Sequence, residues 1–438
     1  MKKIQALLLA GGSSTRVWPV ENKLLVSFLG QPLILHSVNQ LYRKGIRDII
    51  VIINKNNENA FKQLEFPKGC TVKTIIQDKQ PGMAGAITSA APYWKGKKIL
   101  IVGPSDIVED YLLDEFAALY AKDPQAVLVG KHMEEYFPGG YLAERDGVIT
   151  EIVEKPDPAN LPSSLVNIVF DYWQDADSLL SAINEVRTGR DDRYEKAKEV
   201  LIKKGTVIKL LPYNGYWGYL KYPWHVLAIS DFYLSGIKKR LGKVKIDKSA
   251  KIEGEVILED GVTILENAKI AGPAFIGRNS LVGQNALIRQ SHIGNNAVIG
   301  YSTEIVRSYI GHNCWFHHNF IGDSVVLDNN SLGSGAVIAN YRLDGGMVKS
   351  EVNGNLLSTG RIKLGAVIGR NSRLGVNCSL MPGVKIGSNS FVGSGVCLDK
   401  DLPDQSFALL KNANYEVRKN RVVLTSKAMQ KNLEALKY

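Results

Sequence analysis

An aliphatic residue recurs at every sixth position through much of the second half of the chain. Small or polar residues, such as Gly277 and Gly283, usually follow it. A period of six matches neither the turn of an α-helix nor the two-residue alternation of a strand. It predicts a parallel β-helix, in which each aliphatic side chain fills the inside of a prism and the small residue lets the corner turn. The repeat comprises Ile246, Ile252, Leu258, Ile264, Ile270, Ile276, Val282 and Ile288, and then Ile362, Ile368, Leu374, Leu380, Ile386, Val392 and Leu398.

The first half has a different sequence pattern: short apolar runs alternate with helical stretches up to about residue 230. This alternation predicts strand–helix units and a Rossmann-like α/β domain with a mixed, mostly parallel sheet. Ligands of such sheets gather at the carboxyl ends of the strands. The predicted strands include Ile4–Leu9, Ile49–Ile53, Val72–Ile76, Ile99–Val102 and Ala126–Val129.

The change from alternating strands and helices to a six-residue repeat predicts two main domains. The length agrees, because 438 residues are long for a single core. A helix ended by Gly242 joins them. The tail is expected to cap the open end of the coil with a strand and a short helix. The predicted segments are 1–225 for the α/β domain, 226–243 for the linker helix, 244–402 for the coil and 403–438 for the tail, with Tyr415–Thr425 as strand and Ser426–Leu436 as helix.

The composition narrows the choice of partners. With 54 basic and 43 acidic residues the chain has a net charge of +11, which suits nucleotides, sugar phosphates or coenzyme A. No basic stretch is interleaved with aromatic residues, so nucleic acid is not expected. No segment is long and apolar enough to span a membrane. The four cysteines have no metal or redox spacing, which favours a cytoplasmic protein with reduced thiols.

A short apolar run near the N-terminus ends in Gly11-Gly12, and small hydroxylated residues follow. Such a turn lets backbone amides approach phosphate oxygens. Arg16 and Lys23 add two cations close by. Such cations can neutralise the negative charge that builds up at phosphorus when a triphosphate reacts. On these residues alone, a tight turn with solvated charges is an equally good interpretation.

The same run resembles the signature loop of the sugar-1-phosphate nucleotidyltransferases, in which Leu-Ala-Gly-Gly leads to Gly-Thr-Arg and then Pro-Lys. Ser14 and Asn22 replace a glycine and the proline of that pattern. The resemblance implies that Gly12 positions the nucleotide and that Arg16 and Lys23 are catalytic.

Two further strand ends carry suitable chemistry. Gln77 can pair with the imide edge of uracil or thymine, and Gly82 lets a base lie against the backbone. Asp106 follows a buried strand, where a carboxylate can hold a magnesium ion that also binds phosphates and water. The family resemblance implies the same roles, with UTP or dTTP as the nucleotide.

The predicted sugar site combines Gly140, Glu154 and Asn167, whose polar groups can contact hydroxyls. They occur in the order that the family's sugar-binding elements follow. The segment from Tyr216 to His225 resembles the one that closes this site, but Tyr219 stands where several relatives have a second metal-binding aspartate. Tyrosine is a poor magnesium ligand, so the second ligand stays unassigned.

The coil is interrupted between Asn340 and Arg361, which predicts a loop that leaves the regular scaffold. Just before it stands the run Phe316–Ser324. Together with the repeat, it resembles the acetyltransferase half of the bifunctional N-acetylglucosamine-1-phosphate uridylyltransferase/glucosamine-1-phosphate acetyltransferases. The resemblance covers about nine-tenths of the chain, and it implies a left-handed coil and a homotrimer with acetyl-CoA bound between subunits.

In that family a histidine within His-x-Asn-Tyr-x-Gly-Asp-Ser is catalytic, which corresponds to His317. A neutral imidazole is a suitable general base for a sugar amine that attacks a thioester. Asn340 is expected to orient the hexosamine-1-phosphate, and Arg342 and Lys349 to hold its phosphate. Phe320 replaces the family's tyrosine and removes one hydroxyl from this site.

The sequence therefore predicts uridylyl transfer to an N-acetylhexosamine-1-phosphate with release of pyrophosphate, and acetyl transfer from acetyl-CoA to a hexosamine-1-phosphate. One alternative is a nucleotidyltransferase whose coil only assembles the oligomer; the retained His317, Asn340 and Lys349 speak against it. Another is a non-catalytic regulatory subunit, against which Arg16, Lys23 and Asp106 speak. The choice between gluco and galacto sugars, and between uracil and thymine, stays open.

Overall fold

The computed structural model describes residues 1, 3–12, 14–77, 82–189 and 191–411, and their contacts define two compact units. The first unit consists of the described residues of 1–13, 24–26 and 32–219; the second consists of 14–23, 27–31 and 220–411.

Strands and helices are numbered along the chain. The strands up to residue 219 are β1 (Ile4–Ala10), β2 (Ser27–Phe28), β3 (Gln31–Pro32), β4 (Asp48–Ile53), β5 (Thr71–Ile76), β6 (Lys98–Val102), β7 (Asp106–Val108), β8 (Ala126–His132), β9 (Gly140–Arg145), β10 (Val148–Glu154), β11 (Leu165–Trp173), β12 (Ile208–Pro212) and β13 (Trp217–Tyr219). The helices are α1 (Leu33–Arg43), α2 (Glu58–Lys62), α3 (Gly82–Trp94), α4 (Tyr111–Tyr120), α5 (Ala176–Glu185), α6 (Arg193–Lys203) and α7 (His225–Ser235).

The first unit is built on a nine-stranded sheet in the order β5-β4-β1-β6-β11-β8-β12-β10-β9. All five predicted apolar runs form strands of this sheet, which confirms the expected α/β class. Pairing is parallel from β5 to β6 and between β8 and β12, and it is antiparallel around β11 and β10. The sheet is therefore mixed, and its fully parallel half lies at the β5 side.

The four parallel strands end close together. Ala10 pairs with Ile53, which pairs with Ile76, and Leu8 pairs with Val102. Strand β1 is almost entirely buried because it lies between two neighbours in the sheet. The loops that follow β1, β4, β5 and β6 consequently leave the same edge of the sheet.

The second unit is a coil with three parallel sheets as faces. The first face contains β14 (Arg240–Leu241), β17 (Val256–Leu258), β20 (Ala274–Ile276), β23 (His292–Ile293), β26 (Tyr309–Ile310), β29 (Val325–Val326), β34 (Val367–Ile368) and β37 (Lys385–Ile386). The second contains β15 (Lys245–Ile246), β18 (Thr263–Ile264), β21 (Leu281–Val282), β24 (Val298–Ile299), β27 (Trp315–Phe316), β30 (Ser331–Leu332), β35 (Arg373–Leu374), β38 (Phe391–Val392) and β40 (Phe407–Ala408). The third contains β16 (Lys251–Glu253), β19 (Lys269–Ala271), β22 (Leu287–Arg289), β25 (Glu304–Val306), β28 (Phe320–Gly322), β31 (Val337–Ile338), β36 (Ser379–Leu380) and β39 (Cys397–Leu398).

The aliphatic repeat forms the core of this coil, as predicted. Most of its members, for example Leu258, Ile276 and Ile368, are fully buried. The coil also continues through the region where the strict period is lost. Ile276 pairs with Ile293, and Ile293 pairs with Ile310, so these rungs keep their register.

Stacked asparagines show why the period is lost. Asn371 donates to Asn389 across a rung of 18 residues, but Asn279 donates to Asn296 across 17 and Asn313 to Asn329 across 16. These asparagines have positive φ, which asparagine tolerates better than other residues with a side chain. One corner is shortened in a rung of 17 residues and two are shortened in a rung of 16, which changes the spacing in sequence but not the pairing.

The predicted interruption is an antiparallel hairpin. It consists of β32 (Lys349–Val352) and β33 (Asn355–Ser358), joined by Asn353 and Gly354. Both turn residues have positive φ, as a two-residue hairpin turn requires.

Three boundaries differ from the prediction. The helix expected over 226–243 ends at Ser235 and is capped by Gly236, because Arg240–Leu241 already pairs with Ile257–Leu258 as part of the coil. The coil also extends past residue 402, since Phe407 pairs with Phe391. The strand and helix predicted for Tyr415–Thr425 and Ser426–Leu436 lie outside the described residues.

Every helix that the structure describes is too short or too polar to cross a bilayer.

Candidate active sites

The parallel edge of the first unit brings the predicted nucleotide residues together. Gly11 and Gly12 follow β1, Gln77 follows β5, and Asp106 begins β7 shortly after β6 ends. The sequence analysis missed Asn54, which follows β4. Its Nδ2 donates to the carbonyl oxygens of Gly11 and Gly12 at 3.4 and 3.3 Å. Its position was the signal that could have identified it, because Asn54 follows one of the four parallel strands whose ends are aligned at this edge.

Gln77 lies directly against the glycine loop. Its Nε2 donates to the carbonyl oxygen of Gly82 at 3.1 Å. A Cβ atom at Gly11 would lie 2.1 Å from Gln77 Oε1, so only glycine leaves this side chain in place. The predicted base-binding residues Gln77 and Gly82 are thus in contact.

This contact gives a prediction for Gly11→Ala. The added methyl group must displace the flexible end of Gln77, so we expect the KM for UTP to rise about tenfold while the melting temperature stays the same. Pyrophosphate-release kinetics and a thermal melt measure the two quantities. In a Gln77→Ala background Gly11→Ala should add nothing; an equal further loss there would show that Gly11 acts independently of Gln77.

Asp106 and Tyr219 lie opposite each other in the antiparallel pair β7–β13. Trp217 Nε1 donates to Asp106 Oδ1 at 3.1 Å. The Tyr219 ring packs against Phe137 and Trp217, with ring centres 5.1 and 5.4 Å apart. Tyr219 therefore lies opposite Asp106, where the resemblance leads one to expect a second metal-binding aspartate, but it contributes its ring to an aromatic cluster.

In the described part of the chain, no three or more histidine, cysteine or acidic side chains converge as a metal cluster. A magnesium ion needs fewer protein ligands, because phosphate and water oxygens complete its shell. Asp106 offers a half-buried carboxylate, and carboxylate oxygens are among the ligands that magnesium prefers. Its donor set fits a magnesium ion held by one carboxylate and substrate oxygens.

The predicted sugar residues also meet. Gly140 pairs with Glu154 across β9 and β10. A Cβ atom at Gly140 would lie 3.4 Å from Glu154 Oε2 and 3.9 Å from Asn167 Cβ. Lys155 Nζ lies 3.0 Å from Glu154 Oε1. The structure thus brings Gly140, Glu154 and Asn167 to one place.

The Asn167 side-chain amide forms hydrogen bonds within a buried polar network. Its Nδ2 lies within hydrogen-bond distance of the carbonyl oxygens of Val129 and Ile168 and of Asp171 Oδ1, at 3.0, 2.8 and 3.2 Å. Its Oδ1 accepts from Lys198 Nζ at 2.8 Å. A contact from Asn167 to a sugar can therefore use only the remaining lone pair of Oδ1.

Lys198 and Asp171 form the centre of this network. Their side chains are 1% and 0% exposed, and the Nζ–Oδ2 distance is 2.7 Å. Tyr194 also donates to Asp171 at 2.8 Å. Glu195, on the same helix, is buried too; burial raises its pKa to about 7, Lys198 opposes this shift and Glu154 adds to it.

We expect Lys198→Met to destabilise the first unit by about 3–5 kcal/mol, because it leaves the Asp171 carboxylate buried without its counter-charge. Urea unfolding followed by helical circular dichroism measures this, since α1 to α6 all lie in the first unit. Lys196→Met is the matched control: Lys196 pairs with Asp192 at 3.2 Å and is 43% exposed, so its loss should cost less than about 1 kcal/mol. Equal effects of the two substitutions would contradict the assignment.

Arg16 and Lys23 belong to the second unit by their contacts. Arg16 is exposed in a short 3-10 turn, Thr15–Val17. The Lys23 ammonium donates to the carbonyl oxygen of Leu220 at 3.5 Å. Their predicted catalytic roles remain predictions.

His317 lies at the corner between the second and third faces of the coil and is exposed. Its imidazole is 5.2 Å from the ring of Trp315. The Thr303 hydroxyl donates to its carbonyl oxygen. Next to it, the buried Asn319 fixes the turn by donating to the carbonyl oxygens of Gly333 and Ala336, both at 2.9 Å. The turn is therefore rigidly held while the imidazole faces solvent.

The opposite corner of the third face carries Asn340 and a buried carboxylate, Asp323. Arg307 donates to Asp323 through two nitrogens, each at 2.7 Å, and Asn340 Nδ2 donates to it at 2.6 Å. His317 precedes β28, whereas Asn340 follows β31, its parallel partner. Within one chain the face separates them by roughly 15–20 Å.

Further cations surround Asp323. Burial lowers the pKa of Lys363. The positive charges of Arg307 and Arg289 lower it further, whereas the Asp323 carboxylate opposes the shift. Arg289 is paired with Glu304 at 2.6 Å. We call this group the basic corner: Arg289, Arg307, Asn340 and Lys363 around Asp323. Sequence analysis missed Arg289, Arg307 and Lys363, because they come from different rungs and meet only when the coil forms.

The two residues predicted to hold the phosphate differ in their surroundings. Arg342 is engaged by Asp344, which raises the pKa of Arg342. Lys349 is exposed at the start of the hairpin strand β32.

Comparison with known families agrees with both halves of this description. The nucleotidyl transferase family matches residues 5–218. The bacterial transferase hexapeptide family matches residues 365–400, and the hexapeptide repeat of succinyl-transferase matches residues 273–301. The coil is accordingly a left-handed parallel β-helix of the hexapeptide transferases, and the first unit has the nucleotidyltransferase fold.

Full-length relatives contain both halves in the same order. The chain is 30% identical to a bifunctional sugar-1-phosphate nucleotidylyltransferase/acetyltransferase of Sulfurisphaera tokodaii over 91% of this chain and 98% of that one. It is 29% identical to the bifunctional protein GlmU of Methanococcus maripaludis (strain C7), over 93% and 98%. A mannose-1-phosphate guanyltransferase of Schizosaccharomyces pombe is 26% identical over 61% of this chain and 74% of that one. The chain is thus a member of the bifunctional sugar-1-phosphate nucleotidylyltransferase/acetyltransferase family.

Proposed function

We propose that the chain makes a nucleotide sugar in two steps. The coil transfers an acetyl group from acetyl-CoA to a hexosamine-1-phosphate, and the first unit then joins the N-acetylhexosamine-1-phosphate to the nucleotide of UTP or dTTP. The observation that carries the proposal is the parallel sheet edge, at which Gln77 lies against the loop of Gly11 and Gly12 and Asp106 follows the strand β6. Loops at the carboxyl ends of parallel strands are where α/β proteins bind nucleotides.

In the second step, a phosphate oxygen of the sugar phosphate attacks the α-phosphorus of the nucleoside triphosphate, and pyrophosphate leaves. The nucleophile is already an anion, so the step needs no general base. Gln77 would pair with the imide edge of the base beside Gly82. The family resemblance assigns Arg16 and Lys23 to the negative charge that develops during transfer.

Asp106 is the residue that would hold a magnesium ion. When bound, the ion supplies positive charge that offsets the charge of the phosphates. The Trp217 indole keeps Asp106 Oδ1 in a fixed orientation. Gly140 and Glu154 would contact the sugar, with Asn167 and its buried network behind them.

In the first step, the sugar amine attacks the thioester carbonyl of acetyl-CoA. An N–C bond forms, the C–S bond breaks, and coenzyme A leaves as its thiol. His317 would accept the proton that the amine loses. The basic corner would bind the phosphate of the acceptor through further hydrogen bonds from Arg289, Arg307 and Lys363, whose present acidic partners include Glu304 and Asp323. Asn340 would orient the acceptor, with Lys349 and Arg342 as further phosphate contacts.

The separation of His317 from the basic corner supports an acetyl-transfer site between subunits, and the hexapeptide family implies that the assembly is a homotrimer. A single acceptor cannot span one face of the coil, whereas corners of two neighbouring copies can approach each other. Acetyl-CoA would bind in the same cleft, as the hexapeptide family implies. The four cysteines are free thiols, which supports the proposed cytoplasmic location.

Two product assays on the purified full-length chain test the proposal. Pyrophosphate release is measured with UTP, dTTP or GTP and either N-acetylglucosamine-1-phosphate or N-acetylgalactosamine-1-phosphate, in the presence of magnesium. Thiol release from acetyl-CoA is measured with the two hexosamine-1-phosphates. We expect turnover in both assays, with a pyrimidine nucleotide in the first. Absence of pyrophosphate release with every pair would contradict the nucleotidyl half, and absence of thiol release the acetyl half.

A further inference from the structure

The hairpin that carries Lys349 is attached to the coil by a buried lysine, Lys385. Its side chain is only 3% exposed, although it projects from the outside of β37. The ammonium donates to the carbonyl oxygen of Glu351 at 2.6 Å and to the Ser350 hydroxyl at 3.2 Å, and it is paired with the carboxylate of Asp401. A buried lysine is costly unless it is paired and hydrogen-bonded, so these contacts define a fixed position.

The residues on both sides of Lys349 are held as well. The Ser350 hydroxyl donates to the carbonyl oxygen of Gly383 at 2.8 Å. Val348 is fully buried, and its carbonyl oxygen accepts from the Thr359 backbone amide at 3.0 Å and from the Thr359 hydroxyl at 2.7 Å. The backbone of Lys349 is therefore fixed, while its side chain is exposed.

Gly383 shows how closely the hairpin approaches the coil. It has a φ of +85°, and a Cβ atom there would lie 2.4 Å from the carbonyl oxygen of Lys349. Any side chain at this position would push the hairpin away. The close approach of Gly383 involves Lys349, and the Lys385 contacts involve the next two residues of the hairpin, Ser350 and Glu351.

This attachment point lies in line with the basic corner. Gly383 donates to the carbonyl oxygen of Gly365 at 2.7 Å, and Gly365 donates to that of Asp323 at 2.9 Å. Successive rungs of a coil are about 4.8 Å apart, so Gly383 lies about 10 Å from Asp323, and the Lys349 backbone lies directly against Gly383. A lysine side chain that starts there can reach a phosphate bound at the corner.

We propose that Lys385 is a positioning residue for acetyl transfer: by holding the base of the hairpin, it directs Lys349 toward the phosphate of the hexosamine-1-phosphate. This inference rests on the proposed acetyl transfer and on Lys349 as a phosphate ligand. Lys385 itself is buried and does not touch the substrate. Its loss should therefore weaken binding of the phosphorylated acceptor without changing the chemistry at the amine.

The test compares Lys385→Met, Lys349→Ala and the double variant in the full-length chain by thiol-release kinetics with glucosamine-1-phosphate. We expect Lys385→Met to raise the KM for the sugar phosphate about tenfold, with kcat within about twofold of wild type and the KM for acetyl-CoA unchanged. In the Lys349→Ala background, Lys385→Met should have no further effect on that KM.

Two additional variants separate positioning from general destabilisation. Ile386→Val removes a methylene from the neighbouring inward-facing residue, and we expect it to lower the melting temperature but not to change the KM for the sugar phosphate. Ser350→Ala removes the hydroxyl between Lys385 and Gly383 with little change in volume, and should raise the same KM about threefold. If Lys385→Met does not fold, the KM of Ser350→Ala for the sugar phosphate tests the positioning role instead.

A wild-type KM in Lys385→Met or, if that variant does not fold, in Ser350→Ala would overturn the inference, as would an equal rise of KM with and without Lys349. Those outcomes leave acetyl transfer intact. A wild-type chain that releases no thiol would contradict the proposed acetyl transfer and, with it, this inference. Normal transfer with an unchanged KM in Lys349→Ala would contradict the role of Lys349 and therefore that of Lys385.

Discussion

We expect pyrophosphate release from UTP to fall about a hundred- to a thousandfold when Asp106 is replaced by alanine. Asp106 begins β7 shortly after β6 ends at this strand edge, and its carboxylate is the group to which we assign the magnesium ion that would hold the phosphates. Its removal also leaves Trp217 Nε1 without the acceptor that it has at 3.1 Å. The measurement is steady-state pyrophosphate release with an N-acetylhexosamine-1-phosphate at saturating magnesium.

Asp110→Ala is the matched control. Asp110 lies nearby in the same unit, but it is half-exposed and paired with Arg43 at 2.9 Å, so its loss should change the rate by less than about twofold. Thiol release from acetyl-CoA should be unchanged in both variants. If Asp106→Ala keeps the wild-type rate, the phosphates are held by other groups and our assignment of the site is wrong.

Replacing His317 by alanine should lower thiol release from acetyl-CoA about 10²- to 10⁴-fold, the range typical of a lost general base. The amine must lose a proton as the amide forms, and His317 is the imidazole on the rigid turn that Asn319 fixes. The effect should fall on kcat, with little change in the KM for the sugar phosphate. Pyrophosphate release by the same variant should be unaffected.

His318→Ala provides a control with the same chemistry one residue away. His318 is also exposed, but it carries no predicted role, so we expect nearly wild-type thiol release. Similar losses in the two variants would mean that the turn as a whole matters and would contradict His317 as the base. A full loss in His318→Ala alone would reassign the base to the neighbouring imidazole.

The sequence was sufficient to predict the coil because its core follows a simple rule. Leu258, Ile276 and Ile368 are buried since every sixth side chain must point inward. The rule fails where a corner loses one residue, as between Ile288 and Ile293, because pairing between rungs tolerates a shorter corner while a period in sequence does not. The linker helix was predicted too long for a related reason. Pairing of Arg240–Leu241 with Ile257–Leu258 in the next rung of the coil outweighs local helical preference.

The candidate sites were predictable where they follow strand ends. Gln77 comes directly after an apolar run and Asp106 four residues after another, and parallel strands bring such ends together. The basic corner was not predictable, because Arg289, Arg307 and Lys363 belong to separate rungs and nothing local marks them. The buried Lys198 and Lys385 were missed for the same reason. A lysine in sequence looks solvated until its partners, Asp171 and Asp401, are seen around it.

The central claim is that two independent sites on one chain act in series. It is tested most directly by supplying glucosamine-1-phosphate, acetyl-CoA, UTP and magnesium to Asp106→Ala, to His317→Ala and to a mixture of the two variants, and by measuring the nucleotide sugar formed. We predict that each variant alone makes the acetylated nucleotide sugar at about a hundredth of the wild-type rate or less, whereas the mixture makes it readily because each variant supplies the step in which the other is impaired. No product from the mixture, with the wild type active, would contradict two separable sites.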